Sequence, residues 1–306
     1  MKNIARHCGL CNRKCGVDRL IGEPGACGTG RLMAVHSYQA HPGEEPPISG
    51  TMGSGTIFFS HCPMACVYCQ NYRFSQEGEG AEVSVTELSG IMLELESRGC
   101  HNVNLVSPTH YAHLIVQAID LARENGLSVP LVYNTGGYDS LRTVLSLKGK
   151  VDIYLADMKY SGEREAYEYS GIASYPELNR KAVKAMHEQV GGLVIDNGIA
   201  TRGLIIRILI LPNDIAGVSG TLEFIKKEIG TDVHLSVMSQ YYPVYRSGKF
   251  AKISRRINEP EYLAVKHKID ELGFLNGWIQ PFDPDFDKKL LGETFEPNVK
   301  KNKSKI

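Results

Sequence analysis

The sequence has no excess of either charge and no long apolar run. Its 34 Lys and Arg residues balance its 34 Asp and Glu residues. This balance argues against a nucleic-acid partner, because nucleic-acid binders usually carry a basic excess. No stretch reaches the roughly 18 apolar residues of a membrane span, and the first residues contain no apolar signal core. We therefore expect a cytoplasmic protein with no membrane or nucleic-acid partner.

Cysteine is strongly clustered along the chain. Of the eight cysteines, four lie in the first 27 residues, three lie between residues 62 and 69, and Cys100 stands alone. In the reducing cytoplasm, clustered thiols indicate metal ligands rather than disulfides. Cys100 is expected to act as a small buried hydrophobic residue.

Composition divides the chain into three parts. Residues 1–50 are rich in Cys, Gly and Pro with little periodicity, which predicts a loop-built N-terminal extension held by something other than a core. Residues 51–282 carry the periodic pattern of a folded domain. Residues 283–306 are polar and end in a lysine-rich stretch, so we expect a solvated C-terminal tail.

The central part alternates short apolar runs with longer amphipathic stretches. Six runs rich in β-branched residues resemble buried parallel strands: 56–59, 103–106, 129–133, 151–155, 204–210 and 233–237. Five stretches have helical periodicity: 85–97, 111–124, 177–189, 218–229 and 259–272. This alternation predicts an α/β fold with a parallel sheet, either a partial barrel or a doubly wound sheet. In both, functional residues follow the carboxyl ends of the strands.

The three central cysteines follow the first predicted strand directly. Cys62, Cys66 and Cys69 have the spacing C-x3-C-x2-C, which suits an iron–sulfur cluster. Three thiolates on a four-iron cluster leave one iron open, as catalysis requires, whereas a closed zinc site needs a fourth ligand. A purely structural metal site is the alternative.

This motif, with an aromatic residue just before its last cysteine, resembles the radical S-adenosylmethionine (SAM) superfamily. The resemblance implies a partial (β/α)6 barrel and a [4Fe-4S] cluster whose open iron binds SAM. It also implies reductive cleavage of SAM to a 5′-deoxyadenosyl radical that abstracts hydrogen from a substrate. A flavodoxin- or ferredoxin-like protein is the reductant that such chemistry implies.

Further stretches resemble the branch of pyruvate formate-lyase activating enzymes, and especially proteins of that branch with an additional N-terminal Cys motif. The matching segments are Cys8–Cys11, Gly22–Gly28, Glu44–Gly50, Gly53–Phe59 and the cysteine loop with Gln70 and Asn71. This resemblance spans nearly the whole chain. It implies that the hydrogen is taken from a glycyl or other residue of a protein or peptide.

The superfamily's Gly-Gly-Glu after the second strand is absent here, where Thr109 and His110 stand instead. The resemblance to activating enzymes implies that residues at the ends of later strands contact SAM. Asp157 and Lys159 are two of these residues, and their side chains are expected on the same side of an extended chain because its side-chain period is two. The complete set of expected SAM-binding residues is Thr109, His110, Asn134, Thr135, Gly136, Asp157, Lys159, Arg207 and Gln240. For Arg207, a structural ion pair is equally consistent with its position inside an apolar strand.

The four N-terminal cysteines form a second candidate metal site. Cys8, Cys11, Cys15 and Cys27 have the spacing C-x2-C-x3-C-x11-C in a segment without a core. Structural zinc, an additional iron–sulfur cluster and free thiols all remain open.

Three functions are therefore consistent with the sequence. The first is a radical SAM enzyme acting on a protein or peptide residue. The second is a radical SAM enzyme acting on a small metabolite. The third, from another class, is a non-catalytic iron–sulfur or zinc protein that binds metal or transfers electrons.

Overall fold

The strands predicted between residues 56 and 237 form one large sheet in the computed structural model, which describes residues 1–285 and 292–299. The strands are β1 (Met33–His41), β2 (Ser54–Phe59), β3 (Ala81–Val83), β4 (Val103–Val106), β5 (Leu131–Thr135), β6 (Ile153–Asp157), β7 (Val194–Asp196), β8 (Ile199–Leu209), β9 (His234–Met238) and β10 (Gly277–Ile279). The helices are α1 (Lys2–Arg6), α2 (Pro46–Ser49), α3 (Tyr72–Ser75), α4 (Val85–Ser97), α5 (Ala112–Glu124), α6 (Leu141–Ser146), α7 (Glu163–Ser170), α8 (Tyr175–Val190), α9 (Val218–Glu228) and α10 (Glu259–Leu272).

The sheet order is β10-β9-β8-β6-β5-β4-β2-β1-β3, and β7 pairs with β8. Neighbours from β2 through β10 pair in parallel, whereas β1 pairs antiparallel with β2 and with β3. In the described part of the chain, β3 and β10 are the two edges, so the sheet does not close. The predicted α/β class is confirmed as a mostly parallel, open sheet with helical crossovers.

Helices cover one face of the sheet because the apolar side of each helix packs against the buried side chains that the strands present on that face. Helices α4 and α5 pack Leu88, Met92 and Ile115 against β1, β2 and β4. Helices α6, α8, α9 and α10 pack against β5, β6, β8 and β9 in the larger cluster. Capping boxes at Ser84 and Asn258 start α4 and α10, which satisfies backbone N–H groups that a helix leaves free.

The opposite face of the sheet is filled by the segment that precedes β2. Ile48 of α2 packs against Val132, Ile153, Leu155 and Ile205. These strand residues are each one position away from residues that face the helices, such as Tyr133, Tyr154 and Leu204, as the two-residue period requires. The segment 43–50 therefore covers this face of the sheet, and its residues Glu44 and Glu45 contact Arg207 in strand β8.

Two expectations about the ends of the chain are modified. The predicted loop-built segment 1–50 contains β1, nine residues that join the main sheet. The tail prediction falls partly on residues 286–291 and 300–306, which lie outside the described residues. Within 292–299, Phe295 packs near Phe58 and Phe74, and Asn298 bonds the backbone of Tyr38. None of the described helices is both long and apolar enough to cross a membrane.

Candidate active site

The loop of residues 60–71, here called the thiol loop, follows β2 at the carboxyl edge of the sheet. His61 adopts a positive φ of 68° and turns the chain out of the strand. The backbone N–H groups of Ala65 and Val67 donate to the carbonyls of Ser170 and Tyr169, at 3.0 and 2.9 Å. These bonds fix the loop on the end of α7.

The three thiols of this loop, the central thiols, have polar neighbours that suit ligand sulfur atoms. The Ser170 hydroxyl donates to Cys66 Sγ at 2.9 Å. Cys69 Sγ lies 3.1 Å from Ser75 Oγ, and the backbone N–H of Met64 donates to Cys62 Sγ at 3.4 Å. Each sulfur is thus oriented by a neighbouring group, and such groups tune metal-bound thiolates.

The central thiols lie close enough to affect one another's ionisation. Burial, and then the neighbouring Cys66, raises the pKa of Cys62. Burial raises the pKa of Cys66 to about 11, with Lys159 acting in the opposite direction. Burial likewise raises the pKa of Cys69. A bound cation would reverse this balance because metal ligation requires the thiolate form.

Asp157 and Lys159 lie beside the central thiols at the end of β6. Their side chains form an ion pair and are only 18% and 21% exposed. Burial alone would lower the pKa of Lys159, but the charges of Asp157 and Cys66 raise it above its ordinary value. The predicted placement of both residues on one side of the chain agrees with this pair, whereas their contact with SAM stays a prediction.

Gly136 and Gly137 follow β5 and pack directly against the site. A Cβ on Gly136 would lie 2.7 Å from Met64 Sδ in the thiol loop and 3.6 Å from Lys159 Cε. The Tyr175 hydroxyl accepts from the backbone N–H of Lys159 at 3.0 Å and donates to the Gly136 carbonyl at 2.9 Å. The backbone can approach this closely because Gly has no Cβ.

Thr109 and Thr135 face a buried carboxylate that the sequence analysis did not identify. The Thr135 hydroxyl donates to Asp139 Oδ2 at 2.5 Å and lies 3.2 Å from the Thr109 hydroxyl. Asp139 is fully buried and also accepts from the Tyr133 hydroxyl at 2.8 Å. Burial raises the pKa of Asp139, and the donated bonds oppose this rise. Both threonines therefore have internal partners, and their contact with SAM stays a prediction.

His110 lies under the thiol loop and is almost fully buried. Its Nε2 is 2.9 Å from the carbonyl of Ser60, so this nitrogen donates. Among the described residues, its Nδ1 has no hydrogen-bond partner. Burial lowers the pKa of His110 to about 3, and that of nearby His113 to about 4, so both rings are neutral at physiological pH.

Arg207 contacts segment 43–50, which covers the other face of the sheet, and Asn134 contacts Arg207. Arg207 binds both carboxylate oxygens of Glu45 at 2.7 and 2.6 Å and also contacts Glu44. Its Nη1 lies 3.3 Å from Asn134 Oδ1, and Asn104 Nδ2 donates to Glu44 at 2.8 Å. Burial disfavours the charge of Arg207, but the two carboxylates raise its pKa well above the ordinary value.

This arrangement gives Arg207 the structural ion pair that the sequence analysis kept open. The two acidic partners, Glu44 and Glu45, were not identified as site residues, although they lie in segment 44–50, which carries part of the family resemblance. Gln240 contacts Gln280, whose Nε2 donates to its Oε1 at 3.3 Å. For Arg207, Asn134 and Gln240, a role in SAM binding stays a prediction.

The N-terminal thiols, Cys8, Cys11, Cys15 and Cys27, also converge. Cys11 feels the charges of the other three, and Cys15 interacts directly with Cys8. The guanidinium of Arg19 lies among them, with Nη2 2.7 Å from Cys27 Sγ and Nε 3.4 Å from Cys8 Sγ.

Both thiol groups have the donor chemistry of metal sites. In the described part of the chain, no three His, Cys, Asp or Glu side chains already surround one point as metal ligands do. Ligation at either group therefore requires side-chain rotation toward a common centre. For the central thiols, three soft donors on one loop and the glycine backbone beside them fit a cluster with one open position.

Comparison with known proteins agrees with the fold. No protein-family model matches the chain. The uncharacterized protein MJ0674 of Methanocaldococcus jannaschii is 29% identical over 288 residues, covering 88% of this chain and 77% of that protein.

Two solved structures of radical SAM enzymes share the fold. HydG, a maturase of the [FeFe]-hydrogenase, matches with a TM-score of 0.51 and 14% identity, over 72% of this chain and 49% of HydG. SuiB of Streptococcus suis matches with a TM-score of 0.50 and 14% identity, over 72% of this chain and 47% of SuiB. The chain therefore spans about half the length of these structures, and its sheet and helices have the radical SAM arrangement.

Proposed function

We propose that the protein is a radical SAM enzyme that holds a [4Fe-4S] cluster on Cys62, Cys66 and Cys69. The observation that carries this proposal is the position of the central thiols. They share one loop at the carboxyl edge of a parallel sheet, beside the Asp157–Lys159 pair and the backbone of Gly136. This edge is where parallel α/β proteins place their active sites.

The cluster with SAM bound supplies reductive cleavage of the sulfonium and, from it, the 5′-deoxyadenosyl radical that abstracts hydrogen. The chain's own residues hold and orient. Ser170 and Ser75 direct hydrogen bonds at the sulfur atoms of Cys66 and Cys69. Lys159 offers an ammonium to the methionyl carboxylate of SAM, and Asp157 offers a carboxylate to hydroxyl groups. Gly136 lets the backbone approach the cofactor.

The test is SAM cleavage by the anaerobically reconstituted protein. With dithionite and SAM, the wild-type protein should form 5′-deoxyadenosine, and Cys66→Ala should reduce its formation by at least about a thousandfold, because removal of a catalytic group costs that much. Cys100→Ala is the matched control, since this buried cysteine lies in the α4–α5 core. A loaded wild-type cluster that leaves SAM intact would refute the proposal.

For the substrate, we propose a glycyl or other residue of a protein or peptide. The support is the resemblance of the matching segments to activating enzymes. The test uses extracts of cells grown on deuterated medium, separated into macromolecular and small-molecule fractions. Deuterium in 5′-deoxyadenosine should come from the macromolecular fraction. Transfer from the small-molecule fraction alone would favour the alternative, a small metabolite.

For electron delivery, we propose an acidic flavodoxin- or ferredoxin-like protein that docks on a basic groove. This groove, of about 400 Å³, lies where the N-terminal segment meets α6 and α8. Its basic lining residues are His7, Lys14, Arg142 and Lys181, and none of its lining residues in the described part of the chain is Asp or Glu. Arg13, next to Lys14, donates from Nε to the Pro63 carbonyl at 2.5 Å, which links this surface to the thiol loop.

A further inference from the structure

A second group of thiols, Cys8, Cys11, Cys15 and Cys27, lies outside the proposed radical site, and two of them contact the buried guanidinium of Arg19. Arg19 is 2% exposed, and its guanidinium contacts Cys8, Cys27 and Thr29. In the described part of the chain, no carboxylate forms a salt bridge with Arg19. A buried guanidinium requires a compensating anion. The sulfur atoms of Cys8 and Cys27 are neighbours of this guanidinium that carry negative charge once they bind a metal ion.

The backbone around these thiols is built as a compact turn. The Cys8 N–H donates to the Val17 carbonyl at 2.9 Å, and the Gly16 N–H donates to the Cys8 carbonyl at 3.0 Å. The Lys14 N–H donates to the Cys11 carbonyl at 3.2 Å. These bonds bring Cys15 back toward Cys8, and Cys8 and Cys11 are three positions apart, as in a metal-binding knuckle.

We propose that Cys8, Cys11, Cys15 and Cys27 bind one zinc ion as a closed four-thiolate site, with Arg19 as its buried counter-charge. Zinc with four thiolates carries a net charge of about −2, which Arg19 partly neutralises through N–H···S bonds. Four cysteine ligands with no open position are the ligand set of a structural zinc site. A Cβ on Gly25 would lie only 2.9 Å from Cys15 Sγ and from Arg19 Nη2.

The proposed zinc site would support the thiol loop from one side. Arg13, between Cys11 and Cys15, donates to the Pro63 carbonyl. Gly28, next to Cys27, lies against the ring of His61, since its Cβ would be 3.4 Å from Nδ1. Asn12 donates to the Asp139 carbonyl at 2.7 Å. The proposal concerns a structural site and is independent of SAM cleavage.

The experiment measures metal in the full-length Cys62→Ala, Cys66→Ala, Cys69→Ala triple variant, in which the central thiols are removed. We expect one zinc per chain and no iron or sulfide. Iron with sulfide would overturn the zinc assignment in favour of a second cluster, and absence of metal would overturn the site. If the triple variant fails to fold, the same zinc measurement on wild type and on Cys11→Ser decides, with Cys100→Ala as control.

Cobalt provides a readout that a merely structural role of the cysteines would not change. Cobalt-exchanged protein should show the intense visible bands of a tetrahedral four-thiolate site, and Cys15→Ser should shift them. Arg19→Gln should weaken zinc binding by about tenfold in competition with a chelator, because it removes the charge-assisted hydrogen bonds to Cys8 and Cys27, whereas Arg19→Lys should restore most of the affinity. Unchanged zinc affinity in Arg19→Gln would contradict the counter-charge.

Discussion

The Asp157–Lys159 pair is the residue-scale feature that most directly links the fold to the proposed chemistry. Asp157→Asn leaves the mostly buried ammonium of Lys159 without its partner. We expect the free energy of unfolding to fall by about 1–3 kcal/mol and the KM for SAM to rise. Chemical denaturation and SAM-dependent cleavage measure the two effects. Glu177→Gln, in the exposed pair with Lys181, should change neither, and an unchanged KM in Asp157→Asn would remove this pair from the SAM site.

His110 and His113 predict how stability depends on pH. Both have folded-state pKa values, about 3 and about 4, below the ordinary value of 6.5. The unfolded chain therefore takes up protons first as the pH falls below about 6.5, and stability is lost in that direction. Each ring should contribute a loss of about 1.4 kcal/mol between about pH 7.5 and about pH 5.5.

The measurement is the free energy of unfolding of wild type and His110→Gln at both pH values, under identical anaerobic conditions. The variant should lose about 1.4 kcal/mol less than wild type over this interval, and cluster loss common to both cancels in the comparison. Equal losses in the two proteins would mean that the protonation state of His110 does not change on unfolding in this pH interval.

At this scale, spacing predicts chemistry better than it predicts partners. Cys62, Cys66 and Cys69 lie together because ligand spacing within one loop is local information. Asp139 was missed although its partners Tyr133 and Thr135 are only six and four positions away, because the strand pattern does not show which side chains turn toward it. Glu45 was missed because it meets its partner only after distant segments pack. Glu45 reaches Arg207 from 162 positions away, and no periodicity encodes such a pair.

Among the elements, the turn after β5 is the one whose geometry the site depends on most. Gly137 has a φ of +73°, and a Cβ there would lie 2.1 Å from Asn179 Nδ2 and 2.5 Å from the Asp157 carbonyl. Gly137→Ala should lower the free energy of unfolding by about 2–4 kcal/mol through backbone strain and overlap. Thermal and chemical denaturation measure this loss.

Gly90 provides the matched control for that substitution. It lies in the middle of α4, is exposed, and a Cβ there would meet no atom within 4 Å. Gly90→Ala should raise stability by about 0.5–1 kcal/mol, because alanine favours the helix more than glycine does. If both substitutions destabilised the protein equally, the special conformation of Gly137 would not explain its effect.

The elements themselves could largely be predicted from periodicity. All six predicted strands and all five predicted helices are confirmed; strand 103–106 and helices 85–97 and 259–272 match in full, and the others have shifted ends. The missed strands β3, β7 and β10 have three residues each, too few to show a period. Strand β1 was missed because six of its nine residues are polar or small, and because it pairs antiparallel with both β2 and β3 in an otherwise parallel sheet.

At the scale of the whole molecule, the N-terminal segment packs against the thiol loop at the carboxyl edge of the open sheet. Residues 8–28 contact the thiol loop, and the basic groove opens beside them. The sequence could predict a separate Cys-rich segment because its composition differs. It could not predict that this segment packs on the thiol loop and on residues 138–140, since those contacts join residues far apart in sequence, such as Arg13 and Pro63 at 50 positions and Asn12 and Asp139 at 127 positions.

The basic groove predicts that electron transfer from an acidic carrier depends on salt. Electrostatic steering accelerates association between oppositely charged surfaces and weakens as ionic strength rises. The Lys14→Glu, Arg142→Glu double variant should reduce the rate of cluster reduction by a flavodoxin about tenfold at low salt and flatten its salt dependence. Stopped-flow absorbance measures these rates.

Two controls separate docking from damage to the site. Lys266→Glu changes an exposed charge on α10 and should leave the flavodoxin rate unchanged, because this residue does not line the groove. Reduction by dithionite, a small anion with no protein surface to dock, should proceed in the double variant to the same extent as in wild type. If the double variant accepted electrons from flavodoxin at the wild-type rate, the carrier would dock elsewhere, and the groove between the N-terminal segment and α6 would have no part in electron delivery.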